Sequence, residues 1–588
     1  MRVKVTVFSL FLLLARVPCF AGQVRIEKST SGWALSRNGE PYFVRGAGGV
    51  GDLAEFAACG GNSIRTWGAD RAKETLDEAA RHDLTVTIGF WLPHQPEGAD
   101  YANPDWCARV TESVLSVVRA NREHPALLFW ALGNEMELGV SDEDAFWKYL
   151  NDLAKQVKAI DPNHPVGTVV AEVCPQKVEK MTRLAPALEW VGINSYGGAQ
   201  DVGRRWREMG GARPYLLTEF GPPGPTELGL NEFGCPREWT STAKADWYER
   251  IYRSNMMADA GTWCLGSYAF IWGCKVEGTA TWFGMHLSTG EKLAAAERMQ
   301  ELWGVRSVSN HVPTIEPLTL SKDVLEGTND TLSAQARAAD ADGDAISYEW
   351  AVLPELSFLG ETHGMKFPDR IDGMIVAGGR TPRVTVKGIG GGKFRLYCIV
   401  RDGKGGAALS CRAVLVRGEP MRRLRKAEKR PCAVYADDAE PRWWATGYLG
   451  DVAHLKINSA CTEHPARGKT CLRVSYSGSD WAGLMWQDPP NDWCNAAGGY
   501  NLTGARRLVF KARGAKGGEV VNFQVGGGRG AYPDSDIAKL EGVKLAKSWR
   551  SYSIDLRGKD LSCIKTGFCF TFGGQGELTF DLDDIQFE

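Results

Sequence analysis

An eight-stranded parallel α/β barrel followed by all-β domains is the fold class that this 588-residue sequence predicts. Three observations predict it. Strand-like and helix-like segments alternate through eight repeats between about residues 24 and 303. The strand candidates are short, apolar runs without in-out alternation, as a sheet buried on both faces requires. Beyond Val312-Pro313 the helical periodicity stops, and short β-rich runs separated by Gly and Asp turns take over.

The strand candidates are 42–46, 63–67, 85–91, 127–132, 166–170, 190–194, 215–219 and 265–272. Apolar spacing of three and four marks helices at 74–82, 110–121, 144–160 and 243–260. Eight such units fill a barrel domain over 22–308, within the usual size for this fold. An open doubly wound sheet would carry a glycine-rich phosphate turn after its first strand. Arg45-Gly46-Ala47-Gly48-Gly49 lacks the full spacing and the later acidic partner, so the barrel is preferred.

The flanks carry their own signals. Residues 1–21 read as a cleaved signal peptide, with Arg2 and Lys4 ahead of an apolar run over 5–15 and a small-residue site ending at Ala21. That run is too short to span a bilayer, so a secreted or periplasmic protein without a membrane anchor is expected. Residues 313–418 resemble the immunoglobulin-like sandwich modules of bacterial secreted enzymes, with Ala339-Asp-Ala-Asp-Gly-Asp344 read as a turn. A basic stretch over 419–431 is the expected linker.

Residues 432–588 resemble the jelly-roll carbohydrate-binding modules, and that resemblance implies a structural calcium held by Asp437 and Asp438 with Asp583 or Asp584. Trp443, Trp444, Trp481, Trp486 and Trp493 are the candidate sugar platforms there, each weighed against ordinary core packing.

Composition narrows the function. A net charge of −2 gives no electrostatic reason to bind nucleic acid or anionic lipid. Of the 15 Cys, Cys461 with Cys471 and Cys398 with Cys411 suit hairpin disulfides. No Cys/His spacing suggests zinc, and no catalytic metal or organic cofactor is expected.

Two carboxylates carry the chemistry. Trp130-Ala-Leu-Gly-Asn134-Glu135 and Tyr215-Leu-Leu-Thr-Glu219-Phe-Gly221 each place a Glu at the end of a strand candidate, the fourth and the seventh. Strand ends are where a barrel exposes side chains to substrate, and glycosidic cleavage needs two carboxyl groups. An Asn-Glu dipeptide alone is commonplace. The weight lies in the joint occurrence with Arg65 on the second strand, Tyr196 on the sixth and Trp272 on the eighth.

Together these positions resemble the clan A retaining glycoside hydrolases. The resemblance implies Glu135 as general acid/base, Glu219 as nucleophile, Arg65 and Tyr196 as its supports, Trp272 as an aromatic floor and Asn134 as a contact to the 2-hydroxyl. Apolar neighbours such as Trp130 and Met136 are expected to keep Glu135 protonated. Glu137 shares its strand parity with Glu135 and is the obvious misassignment. His94 and Glu172 are expected substrate contacts, and Trp67, Trp91 and Trp282 are candidate rim contacts.

Within the clan, the barrel followed directly by a sandwich, together with Gly266-Ser-Tyr-Ala-Phe-Ile-Trp272-Gly and Thr281-Trp-Phe-Gly-Met285, looks similar to the family 158 endo-β-1,3-glucanases. A polysaccharide, a β-glucan first, is the substrate this implies. β-Mannan and β-1,4-glucan are the alternatives, and a non-catalytic glycan-binding protein is the third reading.

Overall fold

The computed structural model describes residues 22–588, apart from 50, 95–97, 141–142, 306–307, 357–369, 419–426, 438–441, 497 and 531. The signal-peptide expectation, Asp438 and most of the expected linker therefore lie outside the described residues.

Eight parallel strands close into a barrel. They are β1 (Val44–Gly48), β2 (Ser63–Arg65), β3 (Thr85–Phe90), β4 (Leu127–Asn134), β5 (Val166–Ala171), β6 (Trp190–Asn194), β7 (Tyr215–Phe220) and β8 (Cys264–Ala269), with β8 pairing back onto β1. The helices outside include α1 (Leu53–Ala58), α2 (Ala72–Arg81), α3 (Pro104–Asn121), α4 (Glu143–Ile160), α5 (Pro175–Leu184), α6 (Val202–Glu208), α7 (Ser241–Ile251) and α8 (Ala294–Leu302). Sequence signals place their starts. Asp52, Asn103 and Thr240 cap α1, α3 and α7 through their side-chain oxygens, and Pro opens α3 and α5.

The lumen is packed rather than open. Leu128, Phe129, Val169, Trp190, Leu216 and Tyr268 fill it. A three-stranded antiparallel sheet (Val24–Lys28, Trp33–Arg37, Glu40–Tyr42) closes its base with Val24 and Leu35. The expected first strand began at 42, but Tyr42 belongs to this plug. The Tyr268 hydroxyl reaches Ser63 Oγ at 2.9 Å and Thr87 Oγ1 at 2.6 Å, so these three hydroxyls satisfy one another. Gly46 makes room for it: a Cβ there would stand 2.3 Å from the Tyr268 ring.

Beyond the barrel, two four-stranded sheets enclose a core of Leu325, Trp350, Val384, Leu396 and Val414. Next comes a pair of six- and five-stranded antiparallel sheets around Phe510, Phe523, Phe568, Phe570 and Phe580. Strand parity corrects one expected disulfide. Cys398 pairs in register with Ser410, while Cys411 pairs with Tyr397, so the two cysteines point to opposite faces of their sheet. Cys398 lies in the sandwich core and Cys411 packs outside it on Ala280 of the barrel domain. Cys461 and Cys471 do face each other in register, as two free thiols.

The expected sugar platforms divide. Trp443 and Trp486 are buried in the core, while Trp481 and Trp493 are 46% and 43% exposed. The Asp437 carboxylate accepts from the Lys469 and Thr470 amides, and Asp583 accepts from Ala466 and Arg467. Both carboxylates thus hold the loop between two strands.

Candidate active site

Glu219 is the penultimate residue of β7 and is 6% exposed. Three donors converge on it. Arg65 Nη1 lies 2.9 Å and Trp67 Nε1 2.6 Å from Oε1, and the Tyr196 hydroxyl lies 2.7 Å from Oε2. The donors come from the mouths of β6, which pairs with β7, and of β2, which lies across the barrel. Three donors, one of them a buried guanidinium, form surroundings suited to an anion. The Tyr196 phenol is held well above its ordinary range, first by burial and then by the Glu219 charge, so it stays a donor.

Glu135 follows directly on β4. A register shift in the β4–β5 pairing and Gly133 at φ 79° bend the chain there. Glu135 itself adopts the left-handed conformation at φ 53°, pinned by its amide donating to the Val169 carbonyl at 2.9 Å. For a non-glycine residue this conformation costs on the order of 1 kcal/mol, which the surrounding structure supplies. Its Oε1 accepts from Asn194 Nδ2 at 2.8 Å.

Asn194 joins the two carboxylates' surroundings. Its amide also reaches Asn134 Oδ1 at 3.2 Å, and that oxygen accepts from Arg65 Nη2 at 2.5 Å. Thr218 Oγ1 fixes Asn194 by donating to its Oδ1. Glu135, Asn134, Asn194, Arg65 and Glu219 therefore form one connected network across the barrel mouth. Burial pushes the Glu135 carboxyl up to about 7, with the Glu219 charge the second cause and the Asn194 hydrogen bond opposing.

The remaining expected residues fall differently. Glu137, nearly fully buried, is paired with Lys177 at 2.7 Å and accepts from the Ala171 amide, a structural role. Glu172 lies at the rim, paired with Arg205 at 2.9 Å and accepting from Ser195 Oγ. His94 sits against the half-exposed Trp91, with ring centroids 5.3 Å apart, beside Gly139 of the loop that follows Glu135. Trp130 is no neighbour of Glu135. Its indole donates to Asp161, at the far end of the barrel where α4 leads into β5, because four residues of strand (131–134) separate it from Glu135.

Trp272 is corrected outright. It is 3% exposed and packs edge-on to Phe56 and near Trp303, in the layer between barrel and helices. The eighth strand ends at Ala269, three residues earlier than expected, and the chain turns away. Phe270 takes the position by the nucleophile, 5.8 Å from both Trp67 and Tyr196 and edge-on to each. Phe283 and the fully buried Trp282 support it from behind, so Trp282 is not a rim contact. Phe270 and Asn194 are the site residues that sequence reasoning missed. The available signal was their place, at or just after the end of an apolar strand run.

Among the described residues the carboxylates around the cleft have protein donors, and none belongs to a cluster suited to a metal ion.

Residues 76–229 match the family described as "Glycosyl hydrolases family 2, TIM barrel domain". That span holds Glu135, Asn194, Tyr196 and Glu219, while Arg65, Trp67 and Phe270 fall outside it. The chain is similar to a β-glucuronidase of Paenibacillus borealis, 23% identical over 222 residues, 31% of this chain and 36% of that protein. It thus spans about a third of the length of this curated relative. Among solved structures it is similar to the Bifidobacterium dentium β-glucuronidase complexed with coumarin-3-O-glucuronide (TM-score 0.37, 20% identity, 48% of this chain and 49% of that one). It is also similar to the Ruminococcus gnavus β-glucuronidase (TM-score 0.38, 16% identity, 48% and 52%).

Proposed function

We propose that this protein is a retaining glycoside hydrolase that cleaves β-glycosidic bonds by double displacement. One observation carries the reading. One carboxylate, Glu219, is cradled by three donors, while its neighbour Glu135 is largely enclosed and its carboxyl is pushed up to about 7.

In the first step a Glu219 oxygen attacks the anomeric carbon while the Glu135 proton passes to the glycosidic oxygen. The C1–O bond breaks, the aglycone leaves as an alcohol, and the sugar remains as an ester of Glu219. In the second step the Glu135 carboxylate takes a proton from water, whose oxygen attacks C1 and releases Glu219. Loss of the Glu219 charge on esterification lowers the Glu135 pKa, which suits its change from acid to base. The Asn134 amide NH2, opposite the oxygen held by Arg65, is the donor left for the sugar 2-hydroxyl. No organic cofactor is needed for this chemistry.

The substrate we propose is a β-glycan, with β-1,3-glucan first, on the similarity of the segments 266–273 and 281–285 to the family 158 enzymes. A β-glucuronide is the second reading, from the names of the relatives. Exposed Trp481 and Trp493 make the C-terminal domain a proposed polysaccharide contact, and the N-terminal signal makes the protein a proposed exported one.

The test is hydrolysis of a polysaccharide and aryl-glycoside panel by the wild type and by Glu135→Ala and Glu219→Ala. Glu219→Ala should lose at least 10³-fold in kcat, of the order expected when a nucleophile is removed. Undiminished turnover there would remove the mechanism.

A further inference from the structure

The segment just past Phe270 brings an ion pair to the nucleophile's side of the cleft. Lys275 Nζ stands 4.8 Å above the centroid of the Phe270 ring, the ring that touches both Trp67 and Tyr196. Lys275 is paired with Glu277 at 2.5 Å. Because Lys275 Nζ lies over that ring, its partner Glu277 stands at the same wall. The two side chains are 18% and 31% exposed, so both are reachable from solvent.

The pair is held in place. Glu277 and Thr279 exchange two backbone hydrogen bonds of 3.0 and 2.8 Å, and Thr279 Oγ1 donates at 2.6 Å to Glu238, whose side chain is fully buried. With Phe270 itself buried beneath the ammonium, Lys275 and Glu277 rather than the ring are what this wall presents to solvent.

Charge then decides what fits. Every cation named around the cleft already has a carboxylate: Arg65 has Glu219, Arg205 has Glu172, Lys177 has Glu137 and Lys275 has Glu277. A substrate carboxylate would meet Glu277 at this wall and compete with it for Lys275. Sugar hydroxyls suit the pair better, because they donate to Glu277 and accept from Lys275 at once.

We propose that Lys275 and Glu277 are the specificity element of this site, selecting an uncharged sugar ring at the cleaved position over a uronic acid. The proposal rests on the glycosidase reading above and decides between its two substrate classes.

The test compares kcat/KM on 4-nitrophenyl β-glucoside, β-galactoside, β-mannoside and β-glucuronide for the full-length wild type, Glu277→Gln, Lys275→Gln and Glu219→Ala, with circular dichroism to verify folding. The wild type should favour one of the neutral sugars over the glucuronide by at least 100-fold. Glu277→Gln, which releases Lys275, should shrink that preference at least tenfold. Lys275→Gln should raise KM for the neutral sugar and leave the glucuronide rejected. A wild-type preference for the glucuronide, or ratios unmoved within twofold in both folded variants, would overturn the proposal. Turnover surviving in Glu219→Ala would instead remove the glycosidase reading itself, and this proposal with it.

Discussion

Glu135 is the residue whose chemistry depends most on its neighbours. Its carboxyl, pushed up to about 7 by burial and by Glu219, should define the basic limb of the rate profile. We expect kcat/KM to fall as pH rises through about 7, measured on the most reactive glycoside of the panel. Glu219→Gln removes the second-largest of the raising causes, so the Glu135 titration followed by NMR should move down in that variant. An unmoved titration would mean the two side chains do not sense each other.

The same displacement has a stability consequence. The folded pKa of Glu135 lies above its unfolded value of 4.5, so its contribution is full below 4.5 and is lost as pH rises to about 7. That span corresponds to up to about 3 kcal/mol. Glu135→Gln does not titrate, so at pH 8 it should melt at a higher temperature than the wild type, with the advantage shrinking toward pH 4. Calorimetry at the two pH values checks the sign.

At the scale of elements, the strand ends do the positioning. β2, β4, β6 and β7 each deliver a polar group to one rim, and the shifted register in β4 aims Glu135 while Glu137 turns to Lys177. The lumen beneath sets how rigid that rim is. Gly46→Ala would drive a Cβ to 2.3 Å from the Tyr268 ring and 2.8 Å from the Ser267 carbonyl, neither of which has room to retreat. Overpacking of this kind costs about 1–3 kcal/mol. Denaturant unfolding should show it, with activity falling in step if Tyr268 tilts Ser63 and Arg65.

At the scale of the molecule, the sandwich domain is fastened to the segment behind the cleft. Buried Glu238, in the loop between β7 and α7, accepts from Lys244, Thr279, Thr281 and Cys411. Arg395 of the sandwich holds Glu355 through two contacts and donates to the Pro236 carbonyl. The residues so clamped lead straight into Trp282 and Phe283 beneath Phe270. Arg395→Met leaves Glu355 buried without its partner, a loss of about 3–5 kcal/mol. We expect a lower melting temperature and a reduced kcat, since the ring beside the nucleophile loses its backing. Unchanged kinetics in a folded Arg395→Met protein would make the sandwich a passive appendage.

How much of this was legible depended on periodicity. The parallel barrel, and the placing of Glu135 and Glu219 at strands four and seven, follow from apolar runs that tolerate no other burial. Trp272 misled because a strand run does not declare its last residue. The chain leaves the sheet at Ala269, so residue 270 rather than 272 turns to the cleft. Cys398 and Cys411 misled for a related reason, since a register offset by one residue sends side chains to opposite faces.

The sequence by itself determined the alternation of strands and helices, the two acidic strand ends and the change to β structure after the barrel, because these rest on local pattern and residue chemistry. Tertiary structure alone decided which aromatic ring stands by the donors of Glu219, that Asn194 links Glu135 to Asn134 and so to Arg65, and that Lys275 and Glu277 stand at the same wall. Each of those facts depends on where separate strand ends meet in space, and no spacing along the chain encodes that.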